Sequence, residues 1–365
     1  MSQHFSKLFS PYQLGAISLS NRIVMAPMTR SRATGNIPNE LMAEYYAARA
    51  TAGLIITEGT SPSPNGLGYA RIPGIFSEAQ VAGWKKVTDA VHARGGHIFV
   101  QMMHTGRISH PLNLPEGAEV VGASHIAAAN TEMYTDQAGL VALPTPKELA
   151  PEQIPAVIAE FVHAATSAMA AGFDGVELHG ANGYLLEQFL NPASNQRSDA
   201  YGGSFDNRNR FVLEVAAAVA AAIGKEKTAI RLSPFGVAGE MIQDDATEEQ
   251  YTALAKGLEE IGIVYVHVVD HAALGAPAVP QSVKDAIRNN YSGTIIISGG
   301  YDAEKAEADL EAGRGELVAF GRPFISNPDL VERFKTGAAL ETPDHTTFYT
   351  PGEKGYTDYK ILEKV

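Results

Sequence analysis

Three side chains that can do chemistry together, His179, Asn182 and Tyr184, fall within the six residues HGANGY. The glycines between them bend the chain so that the three can converge. A neutral His and an Asn are two donors able to hold a substrate oxygen as its charge develops. A tyrosine, with a reference pKa of about 10, stays protonated at neutral pH and can serve as an acid. A lone His or Tyr reads as a packing residue; three together point to catalysis. A second group is Ser298-Gly299-Gly300 with Gly321-Arg322. Glycines let backbone N–H groups approach phosphate oxygens, and an arginine forks onto them; the plain alternative is a tight turn. Arg231, in the apolar run TAIRL, is the third. A buried arginine needs an electron-rich partner, and two remain open: a carboxylate such as Glu58, or the ring of a cofactor.

The elements that must carry these residues repeat as strand then helix, eight times over. Apolar, β-branched runs occur at Arg22–Met25, Leu54–Thr57, His97–Met102, Gly175–Leu178, Thr228–Leu232, Val264–Val269, Thr294–Ile297 and Leu317–Phe320. They are continuous rather than alternating, as suits parallel strands buried on both faces. Amphipathic stretches follow at Asn39–Ala52, Ser77–Arg94, Pro151–Ala171, Asn207–Ile223, Thr247–Ile261, Ser282–Asn290, Ala303–Ala312 and Asp329–Thr336. This rhythm predicts an α/β fold, a (β/α)8 TIM barrel, over residues 1–365 as one domain. An open dinucleotide-binding sheet would want a glycine-rich turn after its first strand, and Met25 is followed by APMTR. Phe9–Leu19 predicts a hairpin plugging the barrel floor, and His110–Leu149 a long insertion after the third strand, of the sort that covers binding sites.

In such a barrel the site lies at the C-terminal strand ends, with phosphate commonly held after strands seven and eight. Those ends read APMT, TEGT, QMMHTGR, ELHGANGY, IRLSP, VVDH, ISGG and AFGRP. None offers a lysine, so a Schiff-base mechanism has no nucleophile. His104, His179, Asp270 and His271 sit near the ends without metal-ligand spacing, so no metal is expected. The chain has no cysteine, which excludes disulfides, thiolate metal sites, iron–sulfur clusters and a cysteine nucleophile. With 28 Lys and Arg against 41 Asp and Glu, its net charge of −13 argues against nucleic acid and anionic membranes as partners. Met1–Ser10, MSQHFSKLFS, has no apolar signal core and no run is long enough to span a bilayer, so a cytoplasmic location is expected, in a monomer.

The segments VQMMHTGRISH, AGFDGVELHGANGYLLEQFLNPASNQRSDAYGGSFDNRNRF and VAFGRPFISNPDL, with GYTDY near the C-terminus, resemble the Old Yellow Enzyme family of flavin ene-reductases, in particular the bacterial branch of N-ethylmaleimide reductase and pentaerythritol tetranitrate reductase. The resemblance covers essentially the whole chain and is most specific from His179 to Phe211. It implies tightly but non-covalently bound FMN, reduced by NADPH or NADH in ping-pong fashion. The implied substrates are enones, maleimides or nitroalkenes, whose activated C=C bond is reduced. Pro27, Met28 and Thr29 would line the flavin, Gly59 and Gln101 would contact its ring, and Arg231 would stabilise the reduced anionic ring. Gly299, Gly300, Gly321 and Arg322 would hold the phosphate. His179 and Asn182 would bind the activating oxygen and Tyr184 would deliver the proton, with Met103 and Tyr349 also facing substrate. Thr29 stands where another branch has cysteine, Asn182 where some relatives have a second histidine, and Met103 where nitrate-ester reductases have tryptophan. The rivals are a hydroxy-acid oxidase, which needs a base rather than a tyrosine acid, and a barrel that only carries flavin or phenols.

Overall fold

Segments such as LII, IFVQM, TAIRL and YVHVV have no polar face to offer solvent, and every one of their residues is buried. The structure, a computed structural model describing residues 5–362, places them in a closed barrel of eight parallel strands. These are β1 (Ile23–Met25), β2 (Leu54–Ile56), β3 (Ile98–Met102), β4 (Gly175–Gly180), β5 (Thr228–Leu232), β6 (Tyr265–Val269), β7 (Thr294–Ser298) and β8 (Leu317–Phe320). Each pairs with the next and β8 closes on β1, the (β/α)8 architecture expected from the sequence. The first four residues of the N-terminal segment read above lie outside the described residues.

The helices are α1 (Glu40–Ala47), α2 (Glu78–His92), α3 (Ile154–Ala170), α4 (Leu185–Leu190), α5 (Phe205–Ile223), α6 (Thr247–Ile261), α7 (Gln281–Asn290), α8 (Ala303–Glu311), α9 (Arg322–Ser326) and α10 (Leu330–Thr336). Side-chain caps start several of them: Asn39 accepts from the Met42 amide, Asp302 from Lys305, and Ser77 forms a reciprocal box with Gln80. Two boundaries differ from the sequence reading in a way that matters. Strand β4 runs on through His179 to Gly180, the short helix α4 starts directly after HGANGY, and the short helix α9 starts at Arg322 within FGRP. Among the described residues no helix is long and apolar enough to cross a membrane.

The floor is closed by an antiparallel hairpin, Tyr12–Leu14 with Ile17–Leu19. Its Leu14 and Leu19 join Val24, Leu54, Phe99 and Leu317 in one buried cluster, so the barrel is plugged from below. The insertion after β3 carries a second hairpin, Glu132–Thr135 with Gly139–Ala142, above the opposite end.

The roof is finished by residues 344–356, returning from the far end of the chain. Two buried arginines just after β1 grip this strap by its carbonyls. Arg30 donates to Phe348 (3.2 Å) and Gly355 (2.7 Å), and Arg32 to Thr347 (2.8 Å), Phe348 (2.7 Å), Gly352 (3.3 Å) and Lys354 (3.0 Å). Both guanidinium groups lie over the Tyr356 ring, which stacks on Tyr45 at 4.0 Å. Hydrogen bonds from a charged donor are the stronger kind, and a buried carbonyl left without one costs extra. Arg32→Ala is therefore expected to lose on the order of 2–3 kcal/mol locally. Hydrogen exchange should rise over 345–356 while the barrel strands keep their protection; unchanged exchange in the strap would show that Arg32 does not hold it.

Candidate active site

Alternation along β3 to β6 turns one residue in two toward the barrel axis, and the inward set is polar near the C-terminal ends. In register, His179 of β4 lies beside Arg231 of β5, and Arg231 beside His267 of β6. One layer below, Glu177 is paired in register with Gln101 of β3. Glu177 accepts from Gln101 Nε2 (2.8 Å), Tyr265 Oη (3.0 Å) and His267 Nδ1 (2.9 Å). Burial works against its charge, but His267, Arg231 and Gln101 outweigh burial and hold the carboxyl below its ordinary range.

Arg231 is 7% exposed, and its Nε is buried without a hydrogen-bond partner. Burial lowers its pKa, while Glu177 opposes that shift. The carboxylate acting on it is thus Glu177, one of its barrel neighbours. Glu58, the alternative raised from the sequence, lies elsewhere, where Tyr46 Oη donates to it at 3.1 Å and the Arg30 amide at 3.4 Å.

Above this layer open two adjoining clefts. The first, about 690 Å³, has a wall from Pro27, Met28 and Thr29, a floor that includes Arg231 and Asn182, and an end built by Gly299, Gly300, Gly321 and Arg322. Gly299 has φ of +130° and Gly300 of +65°, which side-chain-bearing residues rarely adopt. A Cβ on Gly299 would come within 2.0 Å of the Asp270 carbonyl, so the close passage of these two strands requires glycine there. The second cleft, about 700 Å³, lies under the Glu132–Ala142 hairpin and is lined by Tyr69 and Tyr184. Thr29, His345 and Tyr349 border both clefts, and Phe348 the first.

Tyr184, the residue before α4, meets the His179 ring edge-on at 4.8 Å and shares a hydrogen bond of 2.9 Å with Tyr69 Oη. Burial, reinforced by Tyr69, keeps its hydroxyl protonated far above the usual range. Burial and then Arg231 depress His179 well below its ordinary value, so the imidazole is neutral and carries one N–H. Its Nδ1 has no hydrogen-bond partner among the described residues. Asn182 adopts φ of +60°, and His271 Nε2 lies 2.6 Å from its Oδ1. The histidines and acid weighed as metal ligands are engaged separately: Asp270 with Lys284, His271 with Asn182, and His104 Nδ1 with the Gly106 amide.

Met103, expected to face substrate, is buried against Tyr69 and Tyr184, which line the second cleft. Gly59 leaves a gap that Met103 fills; a Cβ on Gly59 would come 2.4 Å from its Sδ. Met103 then packs with Leu67 and Ile72 behind Tyr69 and Tyr184. Gln101 stays inside the barrel, with its Nε2 spent on Glu177. The sequence reading passed over Tyr69 and Glu187. Tyr69 lies in the loop after β2, and a tyrosine in a loop at the catalytic end was the available signal. Glu187 lay within the motif HGANGYLLEQFL but on a helix too short to show periodicity.

These features suit a large, electron-rich, anionic cofactor. A buried arginine whose Nε has no hydrogen-bond partner among the described residues opens onto a cleft whose far end sets three glycines beside Arg322. Residues 7–341 match the NADH:flavin oxidoreductase / NADH oxidase family, and the chain belongs to it, in the Old Yellow Enzyme group that the HGANGY segment resembles. Among curated relatives it is 41% identical to 12-oxophytodienoate reductase 7 of Oryza sativa subsp. japonica, over 99% of this chain and 96% of that one. It is 44% identical to a chanoclavine-I aldehyde reductase of Penicillium roqueforti, over 97% and 96%. Among solved structures, morphinone reductase in complex with tetrahydroNAD aligns at a TM-score of 0.93 with 45% identity, over 98% of both chains. The Old Yellow Enzyme homologue from Zymomonas mobilis aligns at 0.93 with 40% identity, over 98% and 100%. The chain is an oxidoreductase of a flavin-dependent family.

One buried carboxyl makes the site sensitive to pH. Glu187 accepts from the Gly183 amide (2.5 Å) and Ser233 Oγ (2.6 Å), and burial raises its pKa to about 7. An acid whose pKa is raised on folding binds its proton more tightly in the native state. Stability is therefore lost as pH climbs from the unfolded value, about 4.5, through about 7. Glu187→Gln removes the charge, so its melting temperature relative to the parent should rise between pH 5 and pH 8. A difference that does not change with pH would place the carboxyl's ionisation elsewhere.

Proposed function

We propose that this protein is an FMN-dependent ene-reductase that uses a nicotinamide to reduce C=C bonds activated by a carbonyl or nitro group, as in enones, maleimides and nitroalkenes. The observation that supports the reading is the conjunction of Arg231, whose Nε has no hydrogen-bond partner among the described residues, with a neutral His179, Asn182 and a protonated Tyr184 at the adjoining strand end. When bound, FMN supplies the two-electron chemistry, taking hydride from the nicotinamide and giving it to the alkene β carbon.

The residues divide the remaining work. Gly299, Gly300, Gly321 and Arg322 hold the phosphate, and Pro27, Met28, Thr29, Gly59 and Gln101 orient the ring. Arg231 stabilises negative charge gained on reduction, at short range in a site where water does not screen it. His179 and Asn182 donate to the carbonyl or nitro oxygen and stabilise the charge that develops there as hydride arrives. Tyr184 Oη donates the proton to the α carbon. Tyr69, sharing a 2.9 Å hydrogen bond with it, can then turn to donate to the phenolate left behind.

The test is an absorption spectrum of the purified holoenzyme, anaerobic, after the nicotinamide and then after 2-cyclohexenone. The flavin bands should bleach and then return. In Tyr184→Phe the bleaching should keep its rate while the return slows by about 10²–10⁴-fold, the usual contribution of a general acid. Equal slowing of both halves would remove Tyr184 from the acid role, and a colourless protein that cannot be reconstituted with FMN would overturn the reading.

The reductant is NADH in preference to NADPH. The cleft under the hairpin carries Glu132 and Asp136, and its one lining Arg or Lys, Arg71, is already ion-paired with Asp136. An added ribose phosphate meets acidic groups there and no free cation, and like-charge juxtaposition is costly. kcat/KM for NADH should exceed that for NADPH by about tenfold or more, equivalent to ~1.4 kcal/mol; parity at low salt would refute this.

A further inference from the structure

We propose that His271 is a positioning residue that fixes which end of the Asn182 amide faces the substrate. The inference rests on the His179/Asn182 clamp described above. An asparagine amide can present either its NH2, a double donor, or its carbonyl oxygen, an acceptor, to the same point in space. For a substrate oxygen the first is attractive and the second repulsive, so the clamp depends on something that stops the amide from turning over.

The backbone of Asn182 is braced independently of its side chain. Its amide donates to Ser233 Oγ (3.0 Å), Ser233 donates to Glu187 Oε1, and the Gly183 amide donates to Glu187 Oε2. Gly183 has φ of +82°, and a Cβ there would come 2.5 Å from the Ala238 carbonyl, so this turn has little room to shift. The bracing fixes where the amide sits but not which way round it lies.

That choice falls to His271, which follows β6 and reaches across the barrel mouth to place Nε2 2.6 Å from Asn182 Oδ1. Burial and Arg231 both disfavour the imidazolium, so His271 is neutral with one N–H, and since Oδ1 can only accept, the tautomer that makes this contact carries it on Nε2. Its neighbour Asp270 is occupied by Lys284 (2.8 Å) and the Ala272 amide (3.0 Å) and does not compete for it. Donation from Nε2 to Oδ1 uses the amide's acceptor, and the NH2 is left for the cleft that both residues line. His179 and Asn182 then both present donors. The site accepts ligands bearing an electron-rich oxygen, such as a carbonyl, nitro group or phenolate, and rejects those that offer only donors.

The test is a double-mutant cycle read by ligand binding to the oxidised holoenzyme. 4-Hydroxybenzaldehyde, a phenol, is titrated and followed through the flavin absorbance of the parent, His271→Phe, Asn182→Ala and the double variant, each checked for flavin content and melting temperature. His271→Phe should raise Kd about tenfold in the parent and less than twofold in the Asn182→Ala background. His271→Gln, which keeps an N–H donor, should stay within about threefold of the parent. His271→Leu is run beside His271→Phe, so that a packing defect from one side chain does not stand in for the lost hydrogen bond. An unchanged Kd in both apolar variants, or an equal rise in both backgrounds, would overturn the role of His271 while leaving the clamp intact. An Asn182→Ala variant that binds as the parent does would remove the clamp itself, and this inference with it.

Discussion

A guanidinium buried in a barrel with no hydrogen bond of its own is an unstable arrangement unless something electron-rich is brought to it. Arg231 has Glu177 as a charged neighbour, but its Nε has no hydrogen-bond partner among the described residues, and much of the site can be understood as its surroundings. Its charge helps to hold Glu177 ionised below and helps to keep His179 and His271 neutral beside it. Neutral histidines are what an oxygen clamp needs, because each then has one N–H with a defined direction. A single cation thereby adds to burial in keeping the neighbouring histidines neutral and to His267 in keeping Glu177 ionised.

The scaffold is stiff where the cation sits and assembled from distant pieces where ligands enter. Arg231 and His179 project from neighbouring, fully buried strands held in register. The walls of the clefts come instead from the segment after β1, the hairpin in the insertion after β3, and the strap at 344–356. The rigid polar layer and the walls of the clefts thus come from different parts of the chain.

The barrel was legible in the sequence because continuous apolar runs such as YVHVV and LVAF have one buried solution, and helix starts agreed closely where Ser, Asp or Asn caps were present, although the Asn39-capped helix ends at Ala47 and not at Ala52. HGANGY was legible because three functional groups lie within a few residues. What stayed hidden are contacts made across long separations. The pairing of Tyr69 with Tyr184 spans 115 residues and that of His271 with Asn182 spans 89; neither leaves a local pattern. The direction of Met103 is hidden for the same reason, since it is decided by the space left at Gly59. Glu187 escaped because a six-residue helix shows no period.

The grip of Arg30 and Arg32 on residues 347–355 has a consequence for how the protein comes into being. The first cleft is walled on one side by Thr29 and on another by Phe348 and Tyr349. During synthesis the first wall leaves the ribosome more than three hundred residues before the second. A nascent chain can close its barrel, once β8 is made, and still have no finished pocket. Completion of the cleft therefore waits until the strap is made and the arginines find their carbonyls.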